Sequence, residues 1–361
     1  MHIWNYRRAL THMRHKLREG ELRVGFLGGS ITDALPGHNW PEPVMRWLVA
    51  RYPEVRFHVE NAAISATGSD LAVFRAERDI IDRACDLVFV EYAVNDRDVD
   101  PARRIKAREG LLRKLLADGT REVVLVYTFH QTLYAEMMSG IVPDTIAEFE
   151  RLAEHYGISS VWMGAYALNE VKQGFLRWEE WLPDGTHPTQ RGSLSYGQSV
   201  IKLLEQELQE GGVGAAASYE LPEPIDPGHW GGAYVLPLER IRTEGPWLIR
   251  RWPNAAWIDR VLDTAAVGAR LSLDFEGSGL VLAFDYGKLS AEFRYRLDGG
   301  EWVTTDRPRP DWCGNEGWFR SEIVAEGLPA GAHVLELEVI HGNRPGAKGT
   351  NFRLAFAGVI V

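Results

Sequence analysis

Residues 24–32 read Val24-Gly25-Phe26-Leu27-Gly28-Gly29-Ser30-Ile31-Thr32. Val24, Phe26 and Leu27 make a short apolar run that predicts a buried strand. The run passes straight into two glycines and a serine. Adjacent residues without Cβ tolerate dihedrals that others avoid, so a sharp turn is expected here. The turn would leave the Ser30 hydroxyl at the carboxyl end of a strand, where open α/β sheets keep their chemistry. A serine ahead of a helix is also a good N-cap, and this stretch alone leaves both readings open.

On the N-terminal side, residues 4–19 place Trp4, Leu10, Met13 and Leu17 at helical spacing between basic residues. On the other side, residues 43–51 have helical periodicity that Pro53 stops, and residues 57–60 predict a second strand. Residues 71–83 read as helix, and the continuous apolar run 87–91 as a third strand covered on both faces. A basic amphipathic helix over 102–117 precedes a fourth buried strand at 123–127. Helix over 145–155, a fifth strand at 158–163 and a last helix over about 193–209 complete the pattern. Strands alternating with helices predict a parallel sheet with helices on both faces. Residues 1–210 are thus expected to form a three-layer α/β/α domain.

The composition then changes. GGVGAAASYELPEPIDPG, residues 211–228, is rich in Gly, Ala and Pro, as a linker between domains is. Beyond it the periods are short, and Asp298-Gly299-Gly300 sits like a hairpin turn between two strand-like runs. Residues 229–361 predict an all-β sandwich. A chain of 361 residues accommodates two such domains.

With 45% hydrophobic and 25% charged residues, the chain has the composition of a soluble globular protein. A net charge of -10 speaks against a nucleic-acid partner and for a small or neutral substrate. Cys85 and Cys313 lie too far apart in sequence for a disulfide framework or a metal knot and read as buried apolar residues. The charged N-terminal stretch is unlike a secretory apolar region, and no run of about 18 apolar residues spans a membrane. The expectation is a cytoplasmic protein.

Three further pieces bear on Ser30. Asp184-Gly185-Thr186-His187-Pro188 follows the fifth strand, and one tight turn can bring the Asp184 carboxylate to the His187 imidazole. In isolation the same motif is an Asx-type turn with a surface histidine. Gly68 follows the second strand, where a backbone N–H could face an oxyanion; a plain loop glycine explains it as well. Asn95-Asp96 follows the third strand, and the Asn95 amide is either an oxyanion donor or a turn former. The four groups follow strands one, two, three and five, whose ends share one edge of a parallel sheet. Independent turn residues rarely line up this way.

His130 follows the fourth strand and is a candidate for lining the pocket, as are Trp40 and Trp181, with Trp178, for stacking on a sugar ring. Trp302, Trp312 and Trp318 of the β region serve a binding surface or its core equally well. Gly25, Gly28 and Gly29 do not satisfy a dinucleotide fingerprint, and no spacing suggests a metal site.

The four blocks resemble the SGNH (GDSL-type) hydrolase superfamily, over about residues 20–205. In that family they carry a nucleophilic Ser, an oxyanion Gly, an oxyanion Asn and a DxxH. The resemblance implies a flavodoxin-like sheet of order 2-1-3-4-5, catalysis by Ser30, His187 and Asp184, an oxyanion hole of Ser30, Gly68 and Asn95, and no cofactor. Gly29 stands where the block usually has Asp, and Ala93 where GxND has Gly. The GGSIT form resembles esterases that remove acetyl groups from plant polysaccharides or their oligosaccharides. Joined β domains of such enzymes resemble carbohydrate-binding jelly rolls. The implied function is a serine esterase releasing acetyl groups from an oligosaccharide. The alternatives are a lipase- or thioesterase-like enzyme for longer acyl chains and a non-catalytic carbohydrate-binding protein. The partners expected are an ester substrate and a second copy of the chain, without nucleic acid or membrane.

Overall fold

The computed structural model describes residues 2–33, 39–209, 219–255, 257–309, 313–315, 319–342, 344 and 348–361. It divides into two compact units, Met1–Gly231 and Gly232–Val361. Trp312 and Trp318, and residues 211–218 of the expected linker, lie outside the described residues.

The first unit contains β1 (Trp4–Asn5), α1 (Thr11–Glu19), β2 (Glu21–Gly28), α2 (Pro41–Arg51), β3 (Arg56–Asn61), α3 (Ser69–Ala76), β4 (Leu87–Glu91), α4 (Pro101–Leu116), β5 (Glu122–Val126), α5 (Tyr134–Met138), α6 (Asp144–Tyr156), β6 (Ser159–Val161), α7 (Met163–Lys172), α8 (Trp178–Trp181) and α9 (Gln190–Gln209). The sheet runs β1-β6-β5-β4-β2-β3. Strands β2 to β6 pair in parallel in the order 2-1-3-4-5 of the five expected strands. Every residue of β4 and β5 is buried, as a strand covered by helices on both faces requires. Helices α3, α4 and α6 pack in succession, while α9 packs against α2, α7 and α8.

The single helix expected over 4–19 is corrected. Trp4 and Asn5 instead form an antiparallel edge strand against Val161 and Ser160, and the helix begins only at Thr11. A two-residue strand has no period to read, and the Trp4 indole donates to the Ser199 carbonyl at 2.8 Å instead of joining a helix face. The helix expected over 71–83 also divides, because a π-helical turn at Glu77–Ile81 follows α3.

Residues 219–231 pack on the first unit. The Tyr219 hydroxyl donates to the Tyr156 carbonyl at 2.9 Å, and the Ile225 and Asp226 N–H groups donate to the Glu109 carboxylate. Trp230 is buried beside Phe74. Gly110 is needed beneath it, since a Cβ there would lie 2.5 Å from the Trp230 carbonyl carbon.

The second unit holds β7 (Tyr234–Leu236), β8 (Arg242–Glu244), β9 (Leu248–Arg251), β10 (Arg260–Thr264), β11 (Arg270–Glu276), β12 (Gly279–Asp285), β13 (Glu292–Leu297), β14 (Val303–Thr304), β15 (Phe319–Ala325), β16 (Ala332–Ile340) and β17 (Phe352–Ile360). They form two antiparallel sheets, β15-β12-β17-β10-β9 with β7 on β17, and β14-β13-β16-β11-β8. Alternating Leu271, Leu273 and Phe275 of β11 and Leu335, Leu337 and Val339 of β16 share one core with Leu280, Leu282 and Phe284 of β12. This is the geometry of a sandwich. Asp298 and Gly299, with φ +50° and +72°, turn the chain from β13 to β14. Cys85 and Cys313 are both buried and free, and burial pushes the Cys85 thiol up to about 12. No helix among the described residues is long and apolar enough to cross a membrane.

Candidate active site

Strand β2 ends at Gly28, and the chain turns at once. The Thr32 and Asp33 N–H groups both donate to the Gly29 carbonyl, at 3.1 and 3.0 Å. Ser30 is not an N-cap: the next helix, α2, begins at Pro41 with Trp40 ahead of it. Its hydroxyl lies 2.8 Å from His187 Nε2. His187 Nδ1 lies 2.7 Å from Asp184 Oδ2. An Nδ1–H that donates to a carboxylate leaves Nε2 as the acceptor for the serine O–H.

The loop after α8 is built to hold that order. Asp184 Oδ1 accepts the Thr186 and His187 N–H groups at 2.8 and 2.7 Å, closing the turn on itself. Gly185 takes φ +79°, which a side chain would resist. The Gln131 N–H donates to its carbonyl at 2.9 Å, tying the loop to the end of the fourth parallel strand. Partial burial pushes the Asp184 carboxyl up, but the His187 ring and the two backbone N–H groups outweigh it and hold it at about 2. It is therefore a carboxylate at any ordinary pH.

Ser30, His187 and Asn95 line one cleft of about 580 Å³, together with Ser65, Ala66 and Arg97. Ala66 sits in the left-handed region at φ +59°, a strained conformation of the kind that collects at functional sites. The Asn95 amide lies over Gly29, where an added Cβ would come within 2.2 Å of Oδ1. Gly68 precedes α3 with φ -112°, an ordinary value, and is not among the residues lining the cleft. Glycine is needed there for another reason: a Cβ would lie 2.4 Å from Asp96 Oδ1. Asp96 is buried and accepts the Ser69 N–H, the Ser69 hydroxyl and Arg108 Nε, each at 2.8 Å. It thus clamps the start of α3 to the segment that carries Asn95.

Three candidate substrate contacts are corrected or moved. Trp40 is fully buried, its ring against Phe26 and Phe89, and its indole donates to Thr32 Oγ1 at 2.9 Å. It braces the serine turn from below and cannot meet a sugar. Trp181 is likewise fully buried, between Phe129 and Trp178. Tryptophan spacing carries no sign of which face is wet, and here Trp178 is the exposed partner. His130 is half-buried, held through Nδ1 by Thr132, and does not line the cleft. Burial and then the Arg97 charge lower its pKa.

Glu91 lies beneath the serine turn. It ends β4, has no exposed surface, and accepts the Thr32 and Thr128 hydroxyls at 3.1 and 2.7 Å. Burial pushes its carboxyl up to about 7, against the opposing hydrogen bonds from Thr128, Thr32 and the Gly29 N–H. The one clue in the sequence is an acid closing an otherwise apolar strand. Among the described residues no group of three His, Cys, Asp or Glu side chains is placed to hold a metal ion.

A serine, an imidazole and a carboxylate in hydrogen-bonded series at the carboxyl edge of parallel strands form the arrangement by which hydrolases activate a hydroxyl. Residues 26–193 match the model of the GDSL-like Lipase/Acylhydrolase family. Among curated protein sequences none matches the chain. Among solved structures, a two-domain esterase active on acetylated mannans, co-crystallized with mannopentaose, is similar with a TM-score of 0.81. The match covers 98% of this chain and 96% of that one at 21% identity. A second structure of a two-domain esterase active on acetylated mannans gives 0.79 at 22% identity, with the same coverage. A catalytic mutant of an acetylxylan esterase from Geobacillus stearothermophilus gives 0.43 at 19% identity, over 53% of this chain and 95% of that one. At these identities the likeness is one of fold.

Proposed function

We propose that this chain is a serine esterase that removes short acyl groups, acetyl above all, from a carbohydrate through an acyl-enzyme. The observation that carries the reading is the Ser30–His187–Asp184 series, at 2.8 and 2.7 Å. Ser30 Oγ attacks the ester carbonyl as His187 Nε2 takes its proton. The Ser30 N–H and the Asn95 amide receive the developing oxyanion. His187 then returns the proton to the leaving sugar hydroxyl. Water, activated by the same imidazole, attacks the acyl-enzyme, releasing the acid and restoring Ser30. Asp184, charged throughout, orients the ring and stabilises the imidazolium.

The carbohydrate part of the reading is supported by the two-domain mannan esterase whose fold spans nearly the whole chain. The test is acetate release from acetylated manno-, xylo- and pectic oligosaccharides, beside nitrophenyl acetate and octanoate. A fluorophosphonate should label wild type and spare Ser30→Ala. Absence of label on wild type would end the esterase mechanism. Hydrolysis of octanoate in preference to acetate, with no acetate released from any oligosaccharide, would replace the carbohydrate reading with a lipase-like one.

A further inference from the structure

A second cavity, of about 540 Å³, opens beside the Asp184 loop. It is lined by Phe129, Gln131, Tyr134, Trp178, Asp184 and Gly185, among others, and so shares the loop with the cleft that holds Ser30 and His187. Tyr134 is 42% exposed and Trp178 36%. Their rings meet edge to face with centroids 5.6 Å apart. Trp178 rests on the buried Trp181, nearly parallel at 5.0 Å, and leans on Phe129 at 5.8 Å. Trp178 is therefore fixed from behind, and Tyr134 meets its edge. Catalysis as derived above makes no use of them.

We infer that this aromatic cavity is a sugar subsite: it seats a pyranose ring of the chain that bears the ester being cut at Ser30. The inference rests on the carbohydrate reading above. A pyranose offers an apolar patch of axial C–H groups and a rim of hydroxyls. The Trp178 and Tyr134 rings match the patch, and the Gln131 amide matches the rim. An acyl chain would cover the rings but offer that amide no hydrogen bond, at a cost. Rigid aromatic walls with a few convergent polar groups are the usual make-up of a small-molecule site. Preformed rings also lose little freedom when a ligand arrives. Because the Asp184–His187 turn forms a wall of both cavities, a sugar held on Trp178 positions its neighbour towards Ser30.

The test compares wild type, Trp178→Ala, Trp178→Phe and Tyr134→Ala on acetylated mannopentaose and xylopentaose, on nitrophenyl acetate and on nitrophenyl octanoate. For the better oligosaccharide, Trp178→Ala should raise KM by about tenfold with kcat little changed, and Tyr134→Ala should do so more weakly. Trp178→Phe, which keeps a ring, should recover most of the loss. The loss on the oligosaccharide should exceed that on nitrophenyl acetate several-fold. Equal losses on both substrates, or an unchanged oligosaccharide KM in a folded variant, would overturn the subsite while leaving the esterase reading intact. A selective loss on octanoate would make the cavity an acyl site instead. If wild type releases no acetate from any oligosaccharide, the carbohydrate reading falls and the subsite with it. Should Trp178→Ala fail to fold, Trp178→Phe and Tyr134→Ala decide alone.

Discussion

The Asn95 amide occupies the space that a side chain at Gly29 would need: a Cβ there would meet Oδ1 at 2.2 Å and Nδ2 at 2.5 Å. Gly29→Ala must therefore push Asn95 away from Ser30. Removing one oxyanion donor costs roughly 10²–10³-fold in kcat, so Asn95→Ala should lose that much and Gly29→Ala should approach it. The double variant should be little worse than Asn95→Ala, because both act on one hydrogen bond. Steady-state kinetics on nitrophenyl acetate check this, and a fully active Gly29→Ala would remove Asn95 from the oxyanion site.

Ser30→Ala should fold as wild type and fall to near background, since the nucleophile and its base act as a unit. Asp184→Asn should cost up to about 10⁴-fold in kcat, because an amide can hold the ring in the wrong tautomer. Its Tm should also drop, since the carboxylate closes the loop through two backbone N–H groups. Retention of more than about a tenth of the activity by Ser30→Ala would contradict the mechanism.

Activity should rise with pH and then level off. A protonated imidazole cannot take the serine proton, and imidazoles change charge between about pH 5 and 8. Asp184, held at about 2, stays ionised across that whole range. Asp184 therefore adds no step of its own to the acid limb. A flat profile of kcat/KM over this range would exclude an imidazole base.

Glu91 ties stability to pH in a definite direction. Its carboxyl rises from an ordinary 4.5 to about 7 on folding because it is buried. The folded state thus holds its proton more tightly than the unfolded chain does. The contribution is fully present below about pH 4.5 and is lost as pH climbs through about 7. That span is worth roughly 3 kcal/mol. Glu91→Gln keeps an acceptor for Thr32 or Thr128 and cannot ionise, so its stability should fall less than that of wild type between those pH values. Urea unfolding at pH 5 and pH 8 measures the difference. Glu122, pushed up to about 7 by burial, should leave a residual slope in the variant. Identical slopes in both proteins would mean that Glu91 is not protonated in this range.

The parallel strands and the Ser30, Asn95 and Asp184–His187 segments were legible because each is local. An apolar run, two glycines and a DxxH need no knowledge of the rest of the chain. What escaped depends on tertiary packing. Trp4 and Asn5 become a strand only because β6 has an open side to pair with. Trp40 and Trp181 differ from Trp178 in burial alone, which spacing does not encode. The requirement for Gly68 comes from Asp96, a contact invisible until β4 and α3 are brought together. Glu91 reads in sequence as the end of a strand, and only the fold shows it beneath the serine turn.

The short pairing of Trp4 and Asn5 with β6 does more than widen the sheet. An uncovered strand edge is a template on which another chain can grow, and these two residues occupy that template. A chain carrying Asn5→Pro would keep its interior but offer the amide row of β6 to its neighbours. Its shelf life would then depend on how concentrated the solution is more than on how warm.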